Sequence, residues 1–294
     1  MWYRYEVKNK TLKSLIIFLV LIAVLVIFIP YSVTLYQKIL EQKAQTDALN
    51  KISNDQLAAI KAAKAKEKAE ADAKEKIYLT GKFDQSTSSL FTVVPQKYNV
   101  SGYKMYLRKE TLAAFQDMAE AARKDGVNLN IASATRNFDY QKGLWDSKWT
   151  GKMLESGENL AKTIPDSLQR FQKILEYSAV PGTSRHHWGT DIDLNAATPE
   201  YFETAEGEKV YDWLTENAAT YGFCQPYTAK DESRLTGYNE EKWHWSYLPL
   251  SKTFTEEYKS LVTSDDISGF DGDENVSKMD LIDDYVLGIN KECL

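Results

Sequence analysis

Histidine is scarce in this chain, with three among 294 residues. Cysteine is scarcer. Cys224 and Cys293 lie far apart and in no metal-ligand spacing, which argues against a thiolate zinc site and against a disulfide framework of the kind that staples small secreted domains. A single long-range bridge between them stays open. An excess of positive charge is also missing: 36 Lys and Arg stand against 42 Asp and Glu, a formal net charge of -6. The basic footprint of a general nucleic-acid binder is therefore absent, and no nucleic-acid partner is expected. Glycine and proline are absent between residues 36 and 76, which removes the two residue types that most readily interrupt a helix.

Against these absences stands one long apolar run. From Leu15 to Tyr31 the sequence reads LIIFLVLIAVLVIFIPY without a charge. As a helix, about 17 residues rise roughly 25 Å, close to the ~30 Å of a bilayer core. Arg4, Lys8, Lys10 and Lys13 precede it against one Glu6, so the positive-inside rule leaves residues 1–14 in the cytoplasm and places everything after residue 31 outside. A cleaved signal peptide is the alternative, but IPYSVTLYQ offers no small-residue cleavage pattern, and an uncleaved anchor over 15–31 is the expectation. The expected location is thus the bacterial cytoplasmic membrane, crossed once, with the rest in the periplasm or cell-wall space.

Residues 32–76 are dominated by Ala, Lys, Glu and Gln, as in AAIKAAKAKEKAEADAKEK. These are strong helix formers with few large apolar side chains among them, so the segment reads as a solvated helical stalk. If fully helical, residues 36–76 span roughly 60 Å. Sustained a/d heptads are absent, and a homodimer through the stalk stays open.

Beyond Lys76 the aromatic content rises, and residues 77–294 read as one globular domain. Thr111 is expected to cap a helix carrying Leu112, Phe115, Met118 and Ala122 at helical spacing, stopped by Gly126. A short strand is expected over Leu129 to Ser133, then helices over Phe138 to Trp149 and Asp166 to Tyr177. Another strand covers Thr190 to Leu194, and a helix runs from Lys209 to Tyr221, ending at Gly222. The alternation Trp243, Trp245, Tyr247 reads as a strand with one packed face. A last helix is expected over Ser277 to Leu287. Helices and short strands mix without a regular repeat, which predicts an α+β fold.

All three histidines fall in two short segments, SRHHWGTDIDL (184–194) and EEKWHW (240–245). A catalytic zinc takes three protein ligands, often histidine and carboxylate, and keeps one position for water. His186, Asp193 and His244 would make such a set, although by spacing alone a hydrogen-bonded His–Asp pair explains the first segment equally well.

The wider segment PGTSRHHWGTDIDLN resembles the zinc motif of the VanY-type D-alanyl-D-alanine carboxypeptidases, relatives of the D,D-dipeptidases and hedgehog domains. SATRNFDYQ (133–141) is similar to that family's Ser-x-x-Arg…Gln element, and EKWHW (241–245) to its Glu-x-Trp-His-Trp element, in the same order. The resemblance extends over roughly residues 90–290. It implies a zinc peptidase fold with a small antiparallel sheet flanked by helices. His186, Asp193 and His244 would bind Zn2+, Glu241 would be the catalytic base, and Arg136 would contact substrate and polarise its carbonyl. Gln141 and Ser184 match positions that contact the C-terminal residue of the peptide, and Trp243, beside a ligand, is a candidate pocket wall. The implied activity is removal of the terminal D-Ala of peptidoglycan stem peptides.

Several points stay open in the sequence. Glu240 adjoins Glu241, and spacing to His244 favours the latter. On an ideal strand residues 241 and 244 would face opposite sides, so Glu241 must sit on a bend leading into the strand. His187 is expected beside the ligand set or at the surface rather than in the set. Asp191 stands where relatives usually have a small residue. In a strand it faces the same way as Asp193, so it could orient a histidine, add negative charge or exchange roles with Asp193. An L,D-carboxypeptidase or an endopeptidase would use the same catalytic set. A non-catalytic zinc-containing wall-binding module would not need Glu241 and Arg136 together.

Overall fold

The structure is a computed structural model that describes residues 2–155 and 157–294. The chain divides after Glu70 into two compact units. The first contains α1 (Trp2–Ala23), a π-helical turn at Val24–Phe28 and most of α2 (Ile29–Leu79). Its apolar stretch has no protein packed against it; Val26, Ile27 and Phe28 are each about two-thirds exposed. Among the described residues it is the one helix long and apolar enough to cross a membrane. The side chains of Arg4, Glu6 and Lys8, on which the orientation argument partly rests, lie outside the described residues.

The last turns of α2, from Ala71, belong to the second unit. Tyr78 donates its hydroxyl to the Trp188 carbonyl at 2.6 Å, and the Trp188 indole donates to the Leu79 carbonyl at 3.1 Å. Leu79 and Trp188 are fully buried together with Tyr258 and Val286. Lys76 pairs with Asp266 at 2.8 Å.

The rest of this unit is α+β. A two-stranded antiparallel ribbon joins β1 (Phe91–Val93) to β2 (Tyr106–Arg108). The main sheet is antiparallel with strand order β3-β4-β6-β5, where β3 is Ile131–Ser133, β4 Asp191–Leu194, β5 Phe223–Cys224 and β6 His244–Tyr247. Between the strands run α3 (Lys109–Lys124), α4 (Phe138–Trp149), α5 (Leu160–Thr163), α6 (Ser167–Ile174) and α7 (Ala205–Asn217), and α8 (Leu248–Leu261) follows β6.

Alternation along the central strands separates two environments. Ile192, Leu194 and Trp245 enter a core shared with Leu112, Phe115 and Met118 of α3 and Val210 and Leu214 of α7. The opposite face of β4 and β6 carries Asp191, Asp193, His244 and Ser246, all buried as well. A second core forms where Trp145 of α4 meets Phe171 of α6 and Phe270 edge-on.

Three expected elements differ. The helix expected over Lys209–Tyr221 starts earlier, as α7 behind the Thr204 cap, and its end is a separate 3-10 turn over Ala218–Tyr221. Helix α3 begins at Lys109, with Arg108 in the capping position, and Thr111 lies buried in its first turn; the apolar stripe places the helix correctly, but burial of Thr111 takes precedence over its capping chemistry. The continuous helix expected over Ser277–Leu287 is instead a 3-10 segment, Asp273–Lys278, and a π turn, Ile282–Val286. Val276, Leu281 and Val286 each reach a buried position there, at spacings no single regular helix face supplies.

Cys224 at the end of β5 is disulfide-bonded to Cys293, closing a loop of 69 residues in sequence separation. In the chain-entropy account a loop of that length stabilises by about 4 kcal/mol. Cys293→Ser is therefore expected to lower the unfolding free energy by an amount of that order, read from denaturant midpoints under non-reducing conditions, and an unchanged midpoint would contradict the bridge.

Candidate metal centre

The site is built by the pairing of β4 with β6. Their register sets Asp193 opposite His244 and Asp191 opposite Ser246, so four polar side chains project from one face of the sheet. His186 comes from outside the sheet, in a 3-10 turn, Arg185–Trp188, just before β4. That turn ends at Gly189 in the left-handed region, φ 74°, where a Cβ would lie 2.4 Å from the Phe91 ring. Glycine fits there for both reasons.

Each histidine has one nitrogen committed. His186 Nδ1 donates to the Ala134 carbonyl at 2.8 Å, leaving Nε2 free of any hydrogen-bond partner although buried. His244 Nε2 lies 3.0 Å from Asp191 Oδ1, an acceptor, which turns Nδ1 toward Asp193. Asp193 Oδ1 sits 3.3 Å from both His186 Nε2 and His244 Nδ1 and has no hydrogen-bond partner of its own. The three residues thus present donor atoms within 4.8 Å of one another. A separation of 3.3 Å matches the edge of a tetrahedron drawn with bonds of about 2.0–2.1 Å, the lengths zinc makes to imidazole and carboxylate. Buried orphaned donors at that spacing fit a divalent cation, and two nitrogens with one carboxylate oxygen suit Zn2+.

Around this set the other expected residues take distinct places. Glu241 is buried in the bend before β6 and brings Oε2 to 3.2 Å from His244 Nδ1. Its backbone is held by the Tyr227 carbonyl and the Gln225 amide. Glu240 turns away toward the Tyr211 hydroxyl. Arg136, just past β3, has Nη1 at 3.1 Å from the Ser133 hydroxyl and 3.5 Å from Asp193 Oδ2, and its buried Nε has no partner. Gln141 of α4 donates to the Ala179 carbonyl and leaves Oε1 unpaired. Ser184 and Trp243 are buried, and Trp243 also packs with Tyr177 and Phe202. Arg136, Gln141, Ser184, Glu241 and Trp243 line one cavity of about 530 Å³ with the three donors.

His187 is not among them. Its Nδ1 donates to the Arg136 carbonyl at 2.6 Å and its Nε2 accepts from the Gly182 amide at 3.0 Å. Burial holds it down to about 3, so it stays neutral and braces the Arg136 backbone. Asp191 is not a donor to the set either. It lies behind His244, paired to Arg185 at 3.1 Å. Sequence reasoning passes over Arg185, and nothing but its place between Ser184 and His186 could have drawn attention to it. It also passes over Tyr227, whose ring stands edge-on to His244 at 4.9 Å.

The family model for VanY, D-alanyl-D-alanine carboxypeptidase, matches residues 104–250. The chain belongs to this family. Among curated members, it is 35% identical over 135 residues to a D-alanyl-D-alanine carboxypeptidase of Enterococcus faecalis, covering 46% of each chain. It is 28% identical over 166 residues to one of Enterococcus faecium, covering 56% of this chain and 45% of the other. The chain thus spans just under half the length of these relatives. Among solved structures, a vancomycin-resistance D,D-pentapeptidase VanY with Zn(II) aligns at 28% identity and a TM-score of 0.41, covering 60% of this chain and 94% of that one. The matched stretch contains every residue of the donor set and every lining residue assigned from the family motifs.

The site's electrostatics give a pH dependence. Burial alone would lower His244, but the surrounding carboxylates of Asp191, Asp193 and Glu241 outweigh it and raise the imidazole well above the ordinary 6.5. With the folded value raised, the metal-free chain gains stability from the imidazolium below about pH 6.5 and loses it as pH climbs through the raised value. Metal uptake needs that proton to leave. Zinc affinity is therefore expected to rise with pH up to the raised value of His244, with proton release on binding. Calorimetry in buffers of differing ionisation enthalpy measures this, and pH-independent uptake without proton release would contradict it.

Proposed function

We propose that this chain is a zinc-dependent D-alanyl-D-alanine carboxypeptidase that removes the terminal D-Ala of peptidoglycan stem peptides outside the bacterial cytoplasmic membrane, to which its N-terminal helix anchors it. The observation that carries the reading is that Glu241 reaches His244 and Arg136 reaches Asp193 within the cavity that holds the His186, Asp193, His244 set. A module that merely bound zinc would need neither. Positive residues before the apolar helix support the outward placement, as does the Cys224–Cys293 bridge, since disulfides persist in oxidising compartments.

His186, Asp193 and His244 would hold the zinc, which when bound supplies a Lewis acid and lowers the pKa of water. Glu241 accepts the proton of the attacking water. Burial raises its carboxyl above the ordinary 4.5, toward the range in which one group can both take a proton and return it. It then delivers that proton to the nitrogen of the departing D-alanine. Arg136 faces the same space with a buried, unpaired Nε, available to stabilise charge developing on the carbonyl oxygen. The unpaired Gln141 Oε1 and the Ser184 side chain flank the pocket where the terminal residue of the peptide would lie. Trp243 closes one wall.

D-Alanine release from a stem pentapeptide by the detergent-solubilised full chain is the test. Release is expected to stop on chelation and return with zinc. Glu241→Gln should cut turnover by about 10²–10⁴-fold at unchanged zinc stoichiometry, and Arg136→Ala by about 10²–10³-fold. A zinc-loaded wild type that releases nothing from pentapeptides or tetrapeptides would sink the carboxypeptidase reading.

A further inference from the structure

Asp191 lies two residues before Asp193 on the same face of β4, and the structure surrounds it with a dedicated set of partners. Its Oδ1 accepts from two donors, Arg185 Nε at 3.1 Å and His244 Nε2 at 3.0 Å, and its Oδ2 accepts from the Thr190 hydroxyl at 2.5 Å. Asp191 and Arg185 are both almost fully buried. Arg185 is engaged on each side: Nη1 donates to Thr255 of α8 at 2.9 Å, Nη2 to Ser246 of β6 at 2.9 Å, and its Cζ lies 4.7 Å from the centre of the Trp188 ring. Ser246 is the cross-strand partner of Asp191, and His244 stands two residues before it on the same face.

We propose that Asp191 and Arg185 are positioning residues for His244: a buried guanidinium–carboxylate unit that fixes the rotation of the imidazole and presents its Nδ1 to the cation. The inference rests on the reading of His186, Asp193 and His244 as a metal site. The imidazole can turn about its Cβ–Cγ bond, and two other carboxylates compete for it, since Asp193 and Glu241 both lie within 3.3 Å of Nδ1. A hydrogen bond on the far nitrogen settles which edge faces the cavity. His186 obtains the same service from a backbone carbonyl, that of Ala134 just past β3. His244 has a side chain for this partner, and a side chain needs its own anchor. Arg185 supplies one by bridging the turn that carries His186, both central strands and α8. The unit is therefore shared between two ligand-bearing segments, so displacing it disturbs the spacing of the donors as well as the angle of one ring. The same geometry assigns the two aspartates different tasks, Asp193 to the cation and Asp191 to the histidine.

The experiment is zinc affinity by competition with a chelating indicator, on the full chain in detergent, with the visible spectrum of the cobalt-substituted protein as a second reading and thermal unfolding as a fold check. Asp191→Asn keeps an oxygen that can accept from both Arg185 and His244, and is expected to bind zinc no more than about tenfold more weakly. Asp191→Ala should lose about 10–100-fold, the usual cost of removing a partner behind a metal-bound histidine, with an altered cobalt spectrum. Arg185→Lys should fall between the two, because an ammonium cannot reproduce the fork. Asp193→Ala should bind least. Affinity and spectrum matching the wild type in folded Asp191→Ala, whatever the change in unfolding temperature, would reduce the unit to a structural ion pair and overturn the inference. If Asp191→Ala does not fold, Asp191→Asn and Arg185→Lys decide: wild-type cobalt spectra and affinities in both overturn it equally. Loss of binding in Asp191→Ala with retention in Asp193→Ala would overturn it in favour of exchanged roles. A wild-type chain that takes up neither zinc nor cobalt would overturn the metal reading itself, and this inference with it.

Discussion

One imidazole stands within hydrogen-bonding distance of three carboxylates, and the rest of the pocket is arranged around that fact. Asp191, Asp193 and Glu241 all approach His244, at 3.0, 3.3 and 3.2 Å. Two guanidiniums answer them, Arg185 on Asp191 and Arg136 on Asp193. Three negative and two positive groups leave one negative charge in a space from which water is largely removed. Such a charge is costly there unless something cancels it. In the metal-free chain a proton on His244 does so, which is why the imidazole is raised despite its burial. A divalent cation in place of that proton turns the balance to one positive charge. A pocket with that sign, beside a buried unpaired guanidinium nitrogen, agrees with the carboxylate-ended substrate proposed above.

The geometry that makes this arrangement possible is the register of two four-residue strands. Because side chains alternate, sliding β4 by one residue against β6 would turn Asp191 and Asp193 into the core and expose Ile192 to the cavity. Ile192 and Trp245, paired across the strands and packed on α3, therefore hold the donors in place from the opposite side of the sheet. Residues buried for packing and residues buried for chemistry share the same backbone. The pairing of β3 with β4 adds an irregularity between Ile131 and Ser133, and Arg136 departs from the end of that strand to reach Asp193.

Much of this was legible in the sequence because the chemistry is local. Histidines confined to two segments and a carboxylate at a fixed spacing are visible in a string of letters. Together with the family resemblance they single out three candidate donors, and the mixture of helix and strand signals gives the α+β class. Glu241 could be placed on a bend before the structure was known, because strand geometry forbade it from facing His244 otherwise. What was not legible depends on contacts distant in sequence. Asp191 allowed three readings until Arg185, Ser246 and Thr255 were seen gathered around it, from segments up to 70 residues apart. His187 read as a neighbour of the ligands, but its bond to the Arg136 carbonyl spans 51 residues. The end of the chain misled for a related reason. Its apolar residues suggested one helix, whereas the need to reach separate points of an existing core broke it into a 3-10 segment and a π turn.

The segment from Ser184 to Gly189 is gripped from both sides, and this bears on how a metal site can be ready before the metal arrives. On one side the end of α2 holds Trp188 through Tyr78 and Leu79, and Gly81 packs so close to His187 that a Cβ there would lie 2.4 Å from its ring. On the other, Arg185 is tied to both central strands and α8. His186 stands between these two anchors with little freedom to turn away. Its Nε2 and the Asp193 Oδ1 consequently remain buried without partners, a state that costs on the order of 1–3 kcal/mol for each group. A looser segment would relieve that cost by letting the side chains find other bonds. A braced one cannot, so the unfavourable term is relieved when a cation binds, and the bracing converts packing energy spread over the domain into affinity at one point.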